Sequence, residues 1–130
     1  VLSKHDAPTY EVIVDEMVLR RPLGSHQIMA RQLRTLTQTA ERPNITLRVL
    51  PFVLGGHPGL DGSFHLMDFP RNRPVVHLEH NITGLFLEEP EQIDFYRQEA
   101  ATLRRIALSP TESVDFVATI AHDHDRESDR

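Results

Sequence analysis

Residues 45–89 read ITLRVLPFVLGGHPGLDGSFHLMDFPRNRPVVHLEHNITGLFLEE, and this stretch decides the fold class. At its start Ile45, Leu47 and Val49 alternate with Thr46 and Arg48, the pattern of a half-buried strand. Residues 63–69 alternate again, with Phe64 and Leu66 on one face and His65, Met67 and Phe69 on the other. VVHLEH at 75–80 predicts a further strand, and LFLEE at 85–89 a short last one. The intervening pieces are turn chemistry: GGHPGLDG at 55–62, RNRP at 71–74 and NITG at 81–84. Turns at this spacing predict an antiparallel meander.

Working outward, YEVIVDEMVL at 10–19 also alternates, with Tyr10, Val12 and Val14 on one face. The apolar phase then slips by one to Met17 and Leu19, which predicts one strand with a bulge near Asp15–Glu16. Ser25 is a good helix cap, and Met29, Leu33, Leu36 and Ala40 recur at helical spacing behind it. Downstream, Pro90 suits a first helical position, and Ile93, Tyr96, Ala100, Leu103 and Ala107 make a stripe. SPTE at 109–112 is a capping box for a last helix, whose apolar face holds Val114, Val117 and Ala121, with Phe116 and Ile120 beside them. HDHDRESDR at 122–130 has no apolar anchor and is expected to be a disordered acidic tail.

The order β-α-β-β-β-(β)-α-α predicts an α+β fold. Its simplest form is a single, mostly antiparallel sheet of four to five strands with helices packed on one face. Residues 1–9 are expected to be a linker from a missing N-terminal part, 10–121 the domain and 122–130 the tail.

Composition narrows the function. The chain has 130 residues, 39% hydrophobic and 25% charged, enough for a core. It has no cysteine, which excludes disulfides, thiolate metal sites and a cysteine nucleophile. The net charge is −5 without a basic stripe, so the chain by itself is not expected to bind nucleic acid. No apolar run approaches the ~20 residues of a membrane helix. A cytoplasmic protein with no membrane partner is expected.

On a single sheet, the polar face would carry Arg48, His65, His77 and Glu79, roofed by a loop bearing His57 and Asp61. These six are the candidate ligand- or partner-binding residues. His77 and Glu79 point the same way from one strand, and His65 is a neighbour on the next. Two imidazoles and a carboxylate can hold zinc or iron with open positions, so a metal-dependent hydrolase is a rival reading. Eight histidines in 130 residues make such neighbours common by chance, and no metal or cofactor is expected. Ser63, Thr83 and Ser113 offer hydroxyls, but none sits in a strained nucleophile elbow. The glycine-rich loop lacks the Lys-Ser/Thr pair of a phosphate loop and precedes a strand. With no catalytic constellation, a non-enzymatic domain is expected.

Several phrases in succession carry more information than any one alone. VDEMVLRRPLGS (14–25), MARQLRTLTQTAERPNITLRVLPF (29–52), GGHPGLDGSFHLMDFP (55–70), VVHLEH (75–80) and EQIDFYRQEAATLRRIALSPTES (91–113) stand in an order that resembles one family. It is the C-terminal domain of actinobacterial, WhiJ-like, Xre-type helix-turn-helix regulators, which are antitoxin-like. The resemblance covers roughly residues 9–121. It implies a regulatory domain for oligomerisation, partner binding or effector sensing. It also implies DNA binding only through an N-terminal helix-turn-helix that this sequence lacks, a homodimer, and a small partner protein encoded nearby. A small-molecule sensor is the alternative. The resemblance carries over no catalytic residues.

Overall fold

A computed structural model describes residues 8–22, 24–52, 64–69, 72–80 and 83–129. The elements are β1 (Tyr10–Asp15), α1 (Glu16–Arg20), α2 (His26–Thr39), β2 (Ile45–Leu50), β3 (His65–Met67), β4 (Val75–His80), β5 (Thr83–Leu87), α3 (Pro90–Ile106) and α4 (Pro110–Ser128). The fold is α+β, as the strand and helix periodicities predict. The chain divides into two compact units, Val1–Leu54 with Ala107–Arg130, and Gly55–Ile106.

In the first unit β1 and β2 pair in parallel, in register from Tyr10–Ile45 to Asp15–Leu50. Parallel neighbours need a crossover connection, and α1 and α2 supply it. Gly24, at a φ of +82°, makes the turn between these helices in a conformation few other residues adopt. Leu47 and Val49 of β2 pack with Leu19, Met29, Leu33, Val117, Ile120 and Ala121 in one buried cluster, flanked by Val12, Val14 and Leu36. The strand phases and the α2 stripe read from the sequence are those of the core. Ser25 caps α2, its side chain accepting the Ile28 N–H, and Ser109 and Glu112 close the expected capping box on α4.

Three expectations are corrected. The first strand does not continue through a bulge. It stops at Asp15, whose carboxylate accepts the Met17 N–H at 2.8 Å and starts α1. The slip in apolar phase is the change from a period of 2 to one of 3.6. Residues 122–128 are not a disordered tail either, because α4 runs on to Ser128. Its buried stripe of Ser113, Val117, Ile120 and Ala121 continues at helical spacing to His124. The anchor of the last turns is therefore a histidine, which a search for aliphatic residues passes over.

The third correction concerns the single sheet. The described residues form two, the parallel pair β1–β2 and an antiparallel three-stranded sheet in the order β3-β4-β5. At Val49 the outer edge of β2 is already occupied. Its N–H donates to the Ser113 hydroxyl at 2.9 Å, and its carbonyl accepts the Leu108 N–H at 2.9 Å. These bonds leave no group at Val49 for a further strand.

In the second unit β3, β4 and β5 form the later part of the predicted meander, without the 45–50 strand, with His65 opposite His77 and His77 opposite Phe86. Val76, Ile93 and Leu103 are buried. Phe64 packs on Tyr96 of α3, ring centroids 4.8 Å apart, and Asp68 accepts both terminal nitrogens of Arg97. Among the described residues no helix is long and apolar enough to cross a membrane.

Candidate functional site

The six residues singled out from the sequence fall on different elements. Arg48 lies on β2, where its Nε donates to Glu11 at 3.2 Å and one terminal nitrogen reaches the Leu108 carbonyl at 3.4 Å. It ties the parallel strands to the segment before α4. His65 and His77 are cross-strand partners in the other sheet, with ring centroids 5.8 Å apart and Phe86 stacked on His77 at 4.7 Å. Glu79 is two residues further along β4, its backbone paired with Gly84. His57 and Asp61, with the 55–62 loop that was to roof the site, lie outside the described residues. Arg48 therefore shares no sheet face with His65, His77 and Glu79. Ser113, one of the candidate hydroxyls, is fully buried, accepting from Val49 and donating to the Leu108 carbonyl at 3.3 Å. Its hydrogen-bonding capacity serves the backbone.

The structure instead gathers polar chemistry where α1, α2 and α4 meet. The short helix α1, capped by Asp15, sets Glu16 and Arg20 one turn apart. Glu16 is 6% exposed, and its two oxygens accept the Arg20 Nε–H at 3.0 Å and the Phe52 N–H at 2.8 Å. Such a buried carboxylate is tolerable because each oxygen has a donor. Arg20 reaches on to Asp123 of α4 at 2.8 Å, and Asp123 also accepts from Arg126 at 2.7 Å. A chain of charge-assisted bonds thus runs from the end of β2 through α1 to the last turns of α4.

Beside it stands a histidine pair. His124 is 4% exposed, with Nε2 2.9 Å from the Leu19 carbonyl oxygen and Nδ1 2.8 Å from Nδ1 of His26. His26 is the first residue of α2, so one imidazole of α4 engages both other helices. Arg34 and Asp125 add an α2–α4 ion pair. An open cleft of about 410 Å³ is lined by Arg20, His26, Asp123, His124, Arg126 and Glu127. Guanidinium, imidazole and carboxylate groups share it, which suits a small polar ligand better than an apolar one.

None of these residues is among the six candidates chosen from the sequence. The one signal that locates them is the α4 stripe, extended to position 124. Contacts across about a hundred residues of chain leave no other local trace.

The electrostatics have a consequence for acid stability. Hydrogen bonds from Arg20 and then Arg126 hold the Asp123 carboxyl below the usual carboxylate range, and the bond to Asp123 raises the Arg20 guanidinium. Because the folded value for Asp123 is depressed, its contribution is present above the unfolded carboxylate range and lost as pH falls through the folded value. Asp123→Asn is expected to lower stability at neutral pH by about 0.2–1 kcal/mol, the scale of partly exposed pairs. Its effect should shrink toward zero in acid. Urea denaturation of both proteins at several pH values checks this. A difference between the two proteins that persists unchanged below the carboxylate range would contradict it.

Comparison with known proteins gives one match. The sequence profile of a domain of unknown function (DUF5753) matches residues 1–119, ending before Asp123 and His124. No curated protein and no solved structure matches the chain. Since the matched segment takes in both sheets, α1 to α3 and the start of α4, the chain belongs to the DUF5753 family.

Proposed function

We propose that this chain is the non-enzymatic regulatory domain of a cytoplasmic transcriptional regulator. DNA would be held by an N-terminal helix-turn-helix outside this sequence, as the resemblance to WhiJ-like regulators implies. The observation that carries the reading is the α1–α2–α4 junction. Three helices are joined there by linked polar contacts beside an open cleft. A ligand or partner that engages Arg20 or Asp123 exchanges those contacts for its own and shifts α4. In a homodimer, or in a complex with a small partner protein encoded nearby, such a shift alters the spacing of two attached DNA-binding units, and spacing sets affinity for paired half-sites. The net charge of −5 agrees with leaving DNA contact to another segment.

Operator binding by the full-length regulator tests this. Arg20→Gln, which breaks the chain of contacts at its centre, is expected to change operator affinity by roughly 5–150-fold, the usual span of allosteric coupling. The 130-residue domain alone should not bind duplex DNA at physiological salt. Tight binding by the domain alone, or an Arg20→Gln regulator with unchanged operator affinity, would sink the proposal.

A second reading, a small-molecule sensor, is favoured by the lining of the cleft, where Arg20 and Arg126 stand with Asp123, Glu127 and two imidazoles and suit a ligand carrying both signs of charge.

A further inference from the structure

The bonds around His124 fix where its protons are. The Leu19 carbonyl only accepts, so the Nε2 of His124, 2.9 Å away, carries a hydrogen. The 2.8 Å line between the two Nδ1 atoms has room for one hydrogen. In the neutral pair, therefore, His26 donates and His124 accepts. The Nε2 of His26 makes no hydrogen bond among the described residues, and its ring lines the cleft. A first added proton can sit there without disturbing either bond. A second has only the Nδ1 of His124, where it would meet the hydrogen already on His26.

Around the pair stand Glu16 and Arg20 on α1, Arg34 on α2, and Asp123, Asp125, Arg126 and Glu127 on α4, most of them ion-paired with one another.

We propose that His26 and His124 form a proton-operated clasp. It holds the last turns of α4 against α1 and α2 while the pair carries at most one added proton, and it opens when both imidazoles are charged. The open state binds one more proton than the closed one. On the acid side the open fraction therefore rises by about tenfold per pH unit. The clasp is a property of this chain alone, so it stands or falls independently of any role in DNA binding.

Two measurements on the 130-residue chain test it. Long-range 1H–15N spectra of the imidazoles should find His124 as the Nε2–H tautomer. Amide exchange at residues 122–128, corrected for intrinsic rates, should report opening that steepens between about pH 8 and pH 4. His124→Gln keeps a donor for the Leu19 carbonyl but removes the ring that takes the second proton. It should abolish the steepening, whereas Asp123→Asn should retain it. Three results would each overturn the clasp: an Nδ1–H tautomer at His124, pH-independent opening in the unmodified chain, or unchanged steepness in His124→Gln.

Discussion

Ile120→Ala is expected to destabilise the protein by about 2–5 kcal/mol. Ile120 is completely buried on α4, in the cluster that includes Leu47 and Val49 of β2 and Leu19 at the end of α1. Truncation removes apolar contacts and leaves a cavity whose walls belong to helices and strands already fixed by their own hydrogen bonds, so collapse around the gap is limited. Single domains have about 5–15 kcal/mol of stability in all. The loss should therefore be visible as a large drop in the denaturation midpoint followed by circular dichroism, a suitable probe for a chain with no tryptophan. Ile28→Ala supplies the comparison, because Ile28 is 42% exposed on α2 and its truncation should stay within about 0.5 kcal/mol. A loss below about 1 kcal/mol at Ile120 would mean that α4 is not held by this core.

The α4 core was legible in the sequence as far as Ala121. Val117, Ile120 and Ala121 announce it by spacing, and the Ser109–Glu112 box announces where the helix starts. What lay beyond was hidden because the stripe is continued by His124. A histidine counts as polar in any hydropathy pattern, yet here it is more buried than many aliphatic residues. Its burial depends on two partners, His26 and the Leu19 carbonyl, that lie about a hundred residues away in the chain. Local periodicity carries no information about such partners.

The sheet was misread for a related reason. Alternation tells which residues of a strand face the core, and for Val12 and Val14 of β1 and Leu47 and Val49 of β2 it does so correctly, but it does not say which strand lies alongside. β2 pairs with β1, the strand before it, across a helical crossover, and its far edge at Val49 meets Ser113 and Leu108. The placing of Arg48 on one sheet face with His65, His77 and Glu79 depended on one continuous sheet, and their strands belong to two. The His65–His77 pairing did survive, since it depends only on the short turn between β3 and β4.

Ser113→Ala is expected to cost about 1–3 kcal/mol, more than any other hydroxyl removal in α4. The Ser113 side chain accepts the Val49 N–H and donates to the Leu108 carbonyl while fully buried. Alanine fits the space but leaves that N–H without a partner in a place water does not reach, and the loss is then the full desolvation cost of the donor. Ser109→Ala, one turn earlier, removes a hydrogen bond to the Glu112 N–H at the helix start. Solvent can replace that bond, so about 1 kcal/mol is expected there. The two variants delete the same atom from the same helix, so the difference between them isolates burial. Amide exchange gives the local readout: the Val49 amide should lose protection in Ser113→Ala and keep it in Ser109→Ala. If both variants cost the same and the Val49 amide stays protected, the edge of β2 is closed by something other than Ser113.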